Sequence, residues 1–118
     1  MTMTLGQRIR ELREKKDLSL REFAKHLGDL SAAFLSDVEL GRRYPSDSVL
    51  VSMAKILGTT EEDLRKYDSR APVEEIKQRS SSDPAFGFAM RKLVDKEISP
   101  EDIMKFVNKQ PDRGRKKS

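Results

Sequence analysis

Ala32, Ala33, Ser36 and Asp37 share the polar side of one short helical stretch, and Arg42, Arg43 and Tyr44 follow close behind it. Small side chains let a helix sit deep in the major groove of DNA. There a serine hydroxyl can donate to or accept from a base edge, and an alanine methyl can touch a thymine methyl. Two arginines and a tyrosine next to such a helix suit phosphate oxygens, contacts that position a protein without specifying sequence. The plainer alternative for Ser36 and the alanines is ordinary helix surface. Asp37 is the awkward member, because phosphates repel a carboxylate. It can accept from a cytosine amino group, point away, or pair with Arg42 or Arg43, and the pairing is favoured.

Other chemistry is poorly provided for. The chain has no cysteine, which excludes disulfides and thiolate metal sites. His26 is the only histidine and lies off the apolar stripe of its helix, a surface position. Glu61, Glu62 and Asp63 are successive and so do not share a face; first-turn acids that favour the helix dipole explain them better than a metal does. With no glycine-rich phosphate loop and no acid pair set in a cleft, neither an enzyme nor a cofactor or metal site is expected.

The elements that must position these residues are written in caps and stripes. Ser19 and Glu22 form a capping box, followed by an apolar stripe of Leu20, Phe23, Ala24 and Leu27, with Gly28 as the stop. Ser31 caps the next helix, whose stripe is Phe34, Leu35 and Val38 and which Gly41 ends. Only two residues separate Gly28 from Ser31, so the helices must cross steeply, as a helix-turn-helix does. Leu5, Ile9 and Leu12 predict a first helix from about Thr4 to Lys16 whose outer face, Arg10 and Arg13 included, is solvated, with Arg10 paired to Glu14. Ser46 caps a fourth helix (Val49, Leu50, Met53, Ala54, Leu57), and Thr59 or Thr60 a fifth (Leu64, Tyr67).

The stretch from Leu18 to Ser46 resembles the Cro/cI-like, xenobiotic-response-element family of helix-turn-helix regulators. The resemblance rests on Leu18-Ser19, Phe23-Ala24, Gly28, Ser31, Phe34-Leu35-Ser36, Val38-Glu39, Gly41 and Pro45-Ser46, and it extends over about Leu5 to Tyr67. It implies an all-α, five-helix lambda-repressor-like head and a DNA partner. It also implies that Gln7 and Arg8, at the start of the first helix, and Ser31, at the start of the reading helix, approach the DNA. Two departures stand out. Asp29-Leu30 lengthens the turn by one residue, and Leu20 replaces a glutamine whose backbone-contacting role passes to Arg21.

Charge has to be divided before it is used. From Lys109 onward five basic residues and one acid account for the whole formal charge of +4, leaving nineteen of each sign before them. The basic balance therefore belongs to the tail and says little about the head. No apolar run approaches the ~20 residues that span a membrane, and no signal-peptide pattern opens the chain, so the expectation is a cytoplasmic protein.

The chain divides into a DNA-binding head (residues 1–67), a linker (68–72), a small helical C-terminal segment (73–108) and a basic tail (109–118) expected to be disordered. Within the segment, Pro72 opens a helix carrying Val73 and Ile76, Arg79 to Ser82 reads as a loop, and Asp83-Pro84 and Ser99-Pro100 start two further helices. So short a segment cannot stand alone, and Phe86, Met90, Ile103 and Phe106 are the candidate self-association surface. Its two patterns, DPAFGFAMRKLVD (Asp83 to Asp95) and SPEDIMKFV (Ser99 to Val107), resemble a subgroup of these regulators that is paired with a metallopeptidase or acts as antitoxins. The expected function is a sequence-specific regulator, a repressor, binding a palindromic operator as a homodimer. The rival is a protein-bridging module built on the same head.

Overall fold

Five helix starts in the first part of the chain use one device, a Ser or Thr hydroxyl that accepts from the backbone N–H three residues on. Thr4, Ser19, Ser31, Ser46 and Thr60 do this at 3.1, 3.0, 3.0, 3.3 and 3.0 Å. They open α1 (Leu5–Lys15), α2 (Leu20–Leu27), α3 (Ala32–Glu39), α4 (Asp47–Leu57) and α5 (Glu61–Arg65). At α1 and α2 the device is reciprocal, since Gln7 and Glu22 accept from the cap residues' own N–H groups. The T-x-x-Q box of α1 is a signal that the hydrophobic pattern had overshadowed. Of the two threonines available to α5, Thr60 is the cap.

The computed structural model describes residues 3–112, in two compact units that meet between Arg70 and Ala71. The basic tail from Arg113 onward lies outside the described residues. Among the described residues there are eight helices and no strand, and no helix is long and apolar enough to cross a membrane.

In the first unit the stripes converge. Ile9, Phe23, Leu50, Met53 and Leu64 are completely buried, with Leu5, Ala24, Leu35, Val38, Ala54 and Leu57 around them. Each large side chain so buried contributes about 1.5–3 kcal/mol, and together they draw α1, α2, α4 and the inner side of α3 onto one core. Gly28, at φ 88°, takes the left-handed turn that lets α3 leave α2 steeply. Gly6 has a different task. A Cβ there would collide with the carbonyl oxygens of Val38 and Glu39, so α1 and the end of α3 approach backbone to backbone.

Beside that contact lies an ion pair that the sequence pattern did not indicate. Arg13, expected on a solvated face, is only 11% exposed in its side chain, and its partner Glu39 only 7%. The guanidinium grips both Glu39 oxygens, at 2.7 and 3.1 Å, and its third contact is the Leu18 carbonyl at 2.7 Å. Arg10 does pair with Glu14, at 3.1 Å on the exposed side.

The second unit contains α6 (Val73–Ser82), α7 (Pro84–Asp95) and α8 (Pro100–Lys109). The expected loop at Arg79 to Ser82 is helical instead. Serine carries only a modest helix penalty, and Ser82 Oγ donates to the Gln78 carbonyl at 3.0 Å, so three serines continue the helix until Asp83. Asp83 closes α6 and caps α7, accepting from Ala85 N at 3.1 Å. Gly87 lets α7 pass close to α6: a Cβ there would stand 3.2 Å from that of Ser80. No residue of these three helices is buried.

Arg13→Ala and Glu39→Ala should each cost about 3 kcal/mol in denaturant unfolding, because each strands a charge in a dry site. The double replacement Arg13→Met with Glu39→Leu should cost less than either. A double variant as unstable as the sum of the single ones would show that the pair is not a desolvated unit.

Candidate nucleic-acid interface

Leu35 and Val38 anchor α3 in the core, which turns its other side outward. On that side Ala33 is exposed, and Ala32, Ser36 and Asp37 are half-exposed. Ser31 caps the helix, its hydroxyl accepting from Phe34 N at 3.0 Å.

After Glu39 the chain folds back on the same helix. Arg42 N and Arg43 N both donate to the Asp37 carbonyl, at 2.8 and 3.4 Å, so the two arginines are held beside α3. The Asp37 carboxylate faces both side chains, with Arg43 Nε at 3.5 Å and Arg42 Nη1 at 3.8 Å. Exposed pairs of this length contribute little stability. Their effect is to offset the one unfavourable charge on this face while the remaining guanidinium donors point to solvent. Arg43 also lies over the Phe34 ring, 5.8 Å from its centroid. Tyr44 follows with 45% exposure, and buried Pro45 fixes the end of the loop.

The other predicted contacts divide. Gln7 is exposed at the start of α1, its carbonyl oxygen engaged by Thr4 N at 2.9 Å. Arg21 is exposed, with no ion-pair partner among the described residues. Arg8 is withdrawn from the phosphate-facing set. Its guanidinium donates to Glu11 at 2.7 Å and to Asp63 at 3.0 and 3.3 Å, and it stacks over Tyr67 at 5.5 Å. Those carboxylates raise its pKa further, against the effect of burial. The side chain therefore ties α1 to α5, with three of its five N–H donors committed to carboxylates. Asp63, on the other side of the tie, is held below the usual carboxylate range. The Thr59 hydroxyl at 2.7 Å is the main cause, opposed by desolvation and reinforced by Arg8. Glu61 of the same acidic run pairs instead with Arg65, at 3.1 Å. Among the described residues no group of His, Asp and Glu is arranged to hold a metal ion.

Sequence reasoning missed what surrounds Tyr44. The stretch read as linker places Ser69 Oγ 3.4 Å from the tyrosine hydroxyl and the Arg70 guanidinium 4.8 Å from its ring centroid. Of the four candidate self-association residues, Met90, Ile103 and Phe106 line one open apolar groove of about 630 Å³ between α7 and α8, with Leu93, Ile98 and Val107. Phe86 is elsewhere, under the Arg79 guanidinium at 4.9 Å.

The family described as helix-turn-helix domain matches residues 4–66. Over 62 residues the chain is 42% identical to the HTH-type transcriptional regulator DdrOP3 of Deinococcus deserti, a match that covers 52% of this chain and 47% of that protein. The chain thus spans about half the length of that relative. It is 36% identical over 59 residues to YazB of Bacillus subtilis, an uncharacterized HTH-type transcriptional regulator, covering 50% of this chain and 84% of YazB. Among solved structures, the biofilm master regulator SinR in complex with DNA aligns at 31% identity with a TM-score of 0.48, over 52% of this chain and 97% of its own.

The lowered Asp63 pKa carries a sign. A carboxyl depressed in the folded state stabilises it above the unfolded pKa of about 3.9 and loses that contribution as pH falls through the folded value. The melting temperature should therefore drop as pH is taken from about 5 to about 3. Asp63→Asn should lower it at neutral pH and flatten the acid limb. An unaltered acid limb in Asp63→Asn would mean that other carboxylates govern it.

Proposed function

The chain belongs to the helix-turn-helix domain family, and from that premise we propose that it is a sequence-specific DNA-binding regulator of transcription. It represses by occupying a palindromic operator as a homodimer. The observation that carries this reading is the outward side of α3 and its flank: small side chains at Ala32, Ala33 and Ser36, with Arg42, Arg43 and Tyr44 folded back beside them. Ser36 and the alanines read base edges, Asp37 orients the arginine pair, and Gln7, Arg21, Arg42, Arg43 and Tyr44 hold phosphates, with Ser31 at the leading end of the helix.

Dimerisation is assigned to the second unit. No residue of its helices is fully buried, Phe88, Val94, Met104, Phe106 and Val107 are about half or more exposed, and a groove of about 630 Å³ lies open between α7 and α8. Exposed large apolar side chains gathered along one groove are the candidate association surface. A second copy supplies the second reading helix that a palindrome requires, with half-sites about one turn, ~34 Å, apart. A toxin or metallopeptidase partner, as the subgroup resemblance implies, would have to use this same face. The bridging-module reading draws on the neutral charge of residues 1–108, but the arginine pair beside α3 favours DNA.

Selection from a random DNA pool with the full chain should recover a two-fold palindrome. On that site Arg43→Ala should weaken binding to specific and random DNA alike and reduce the salt slope by about one, whereas Ser36→Ala should relax preference at one base step. Enrichment of no sequence would overturn the assignment. Truncation after Arg70 should leave a folded, monomeric head whose operator affinity is lower by about 100-fold, the loss of linked binding. Undiminished affinity would exclude the second unit as the dimer element.

A further inference from the structure

Tyr44 is held by residues that the helix-turn-helix itself does not contain. Immediately before the boundary between the two units, Asp68 is almost buried, with 3% side-chain exposure, and Arg70 is chelated to it through Nε at 3.0 Å and Nη2 at 2.9 Å. Arg70 N donates to the same carboxylate at 3.0 Å, which closes the chain into a tight loop. Behind Asp68 stands Arg65 of α5, 3.4 Å away and itself anchored to Asp47 at 2.9 Å and Glu61 at 3.1 Å. Burial would raise the Asp68 carboxyl, but the bonds from Arg70 and the two positive charges outweigh it and hold the group below its usual range. The guanidinium so fixed stands over Tyr44, with its central carbon 4.8 Å from the ring centroid, and the Tyr44 hydroxyl lies 3.4 Å from Ser69 Oγ. A continuous path thus runs from α5 through Asp68 and Arg70 to the loop that carries Arg42 and Arg43.

We propose that Arg70 is a positioning residue for the DNA interface: clamped by Asp68, it holds the Tyr44 ring and fixes the loop after α3 in the conformation that meets phosphate. This rests on the DNA-binding reading above. Arg70 differs from a free surface cation, because its Nε and Nη2 are committed to a nearly buried carboxylate that offsets its charge and its guanidinium stands over an aromatic ring. A clamp and a simple charge predict opposite signs for Asp68→Asn. Releasing Arg70 adds one net positive charge near the interface, which tightens binding if charge is what matters. It loosens Tyr44 and weakens binding if the clamp matters.

The chain has two tyrosines and no tryptophan, so in a Tyr67→Phe background Tyr44 is the only fluorophore of its kind. In that background Arg70→Ala should make Tyr44 fluorescence more readily quenched by acrylamide in the absence of DNA and weaken binding to the selected operator by about 3- to 10-fold. Arg70→Lys should recover less than half of that loss, since an ammonium cannot make the bidentate, stacked contact. Asp68→Asn should weaken binding too. Combined with Tyr44→Ala, Arg70→Ala should cost nothing further. Equal losses from Arg70→Ala with and without Tyr44, full rescue by lysine, or tighter binding by Asp68→Asn would each overturn the proposal. Unchanged quenching would remove the clamp itself, whatever the DNA result. Failure of the unaltered protein to bind any operator would instead overturn the DNA-binding reading, and this inference with it.

Discussion

The position of α3 depends on how its end is fastened to α1. Two features act at that one place. Gly6 lets the backbones touch, and Arg13 closes the gap with a forked bond to Glu39 and a third bond to the Leu18 carbonyl. Burying two charges costs several kcal/mol, and apolar residues of similar volume are often as stable. The fork supplies direction: a guanidinium with three fixed acceptors tolerates few orientations of the helix carrying Glu39. Since the Leu18 carbonyl immediately precedes the cap of α2, one side chain sets α1, the entry to α2 and the exit of α3 against each other. A helix that presents a set of outward side chains needs such a mount, because an error in its tilt moves every one of them.

This division of labour explains what could be read from the sequence. Caps, stripes and the turn glycine are local, and their spacing alone located the helices of the head, the outward face of α3 and the loop of Arg42, Arg43 and Tyr44. The resemblance carried by Leu18 to Ser46 is matched by the family assignment over residues 4–66. The failures have three causes. Arg8 and Arg13 looked like solvated or phosphate-facing residues because their partners, Asp63 and Glu39, are 55 and 26 residues away and no periodicity links them. Asp68 and Arg70 fall in a stretch that reads as linker because five residues with a proline carry no stripe, although a carboxylate two residues before an arginine is a local pairing signal. Ser80 to Ser82 looked like a loop from composition alone, yet helix context overrode a weak propensity.

The same ion pairs bear on why a head with balanced charge can still present a positive face. Its acids are not spread evenly. Asp63, Glu39 and Asp68 are spent on Arg8, Arg13 and Arg70 within the fold, and Asp47 and Glu61 on Arg65. Each of these pairs cancels locally and its field falls away within a Debye length of about 8–10 Å. Around α3, Arg21, Arg42 and Arg43 are exposed, with Asp37 facing the last two and the exposed carboxylates of Glu22 and Asp29 on the preceding helix and turn. Net charge alone does not set the attraction that a phosphate would meet at this surface, since the quantity that matters is the unpaired charge within a screening length of it.

The second unit is governed by the opposite shortage. Its three helices have capped or proline-primed starts, and α7 and α8 have strong apolar stripes, yet among its described residues none is buried. Hydrogen bonds within helices do not offset the entropy of ordering some thirty residues, at about 1–2 kcal/mol each for the backbone alone. Isolated helices of 10 to 12 residues, the lengths found here, are marginal in water. In the proposed dimer, stability for such a unit comes from covering Met90, Leu93, Ile103 and Phe106 with matching surface, which makes its folding and its association one equilibrium. Where a second copy provides that surface, the two heads are brought together only at concentrations at which the helical segment is also ordered. Occupancy of a two-fold site then responds steeply to the amount of protein present, a consequence of coupling the order of the second unit to the pairing of the first.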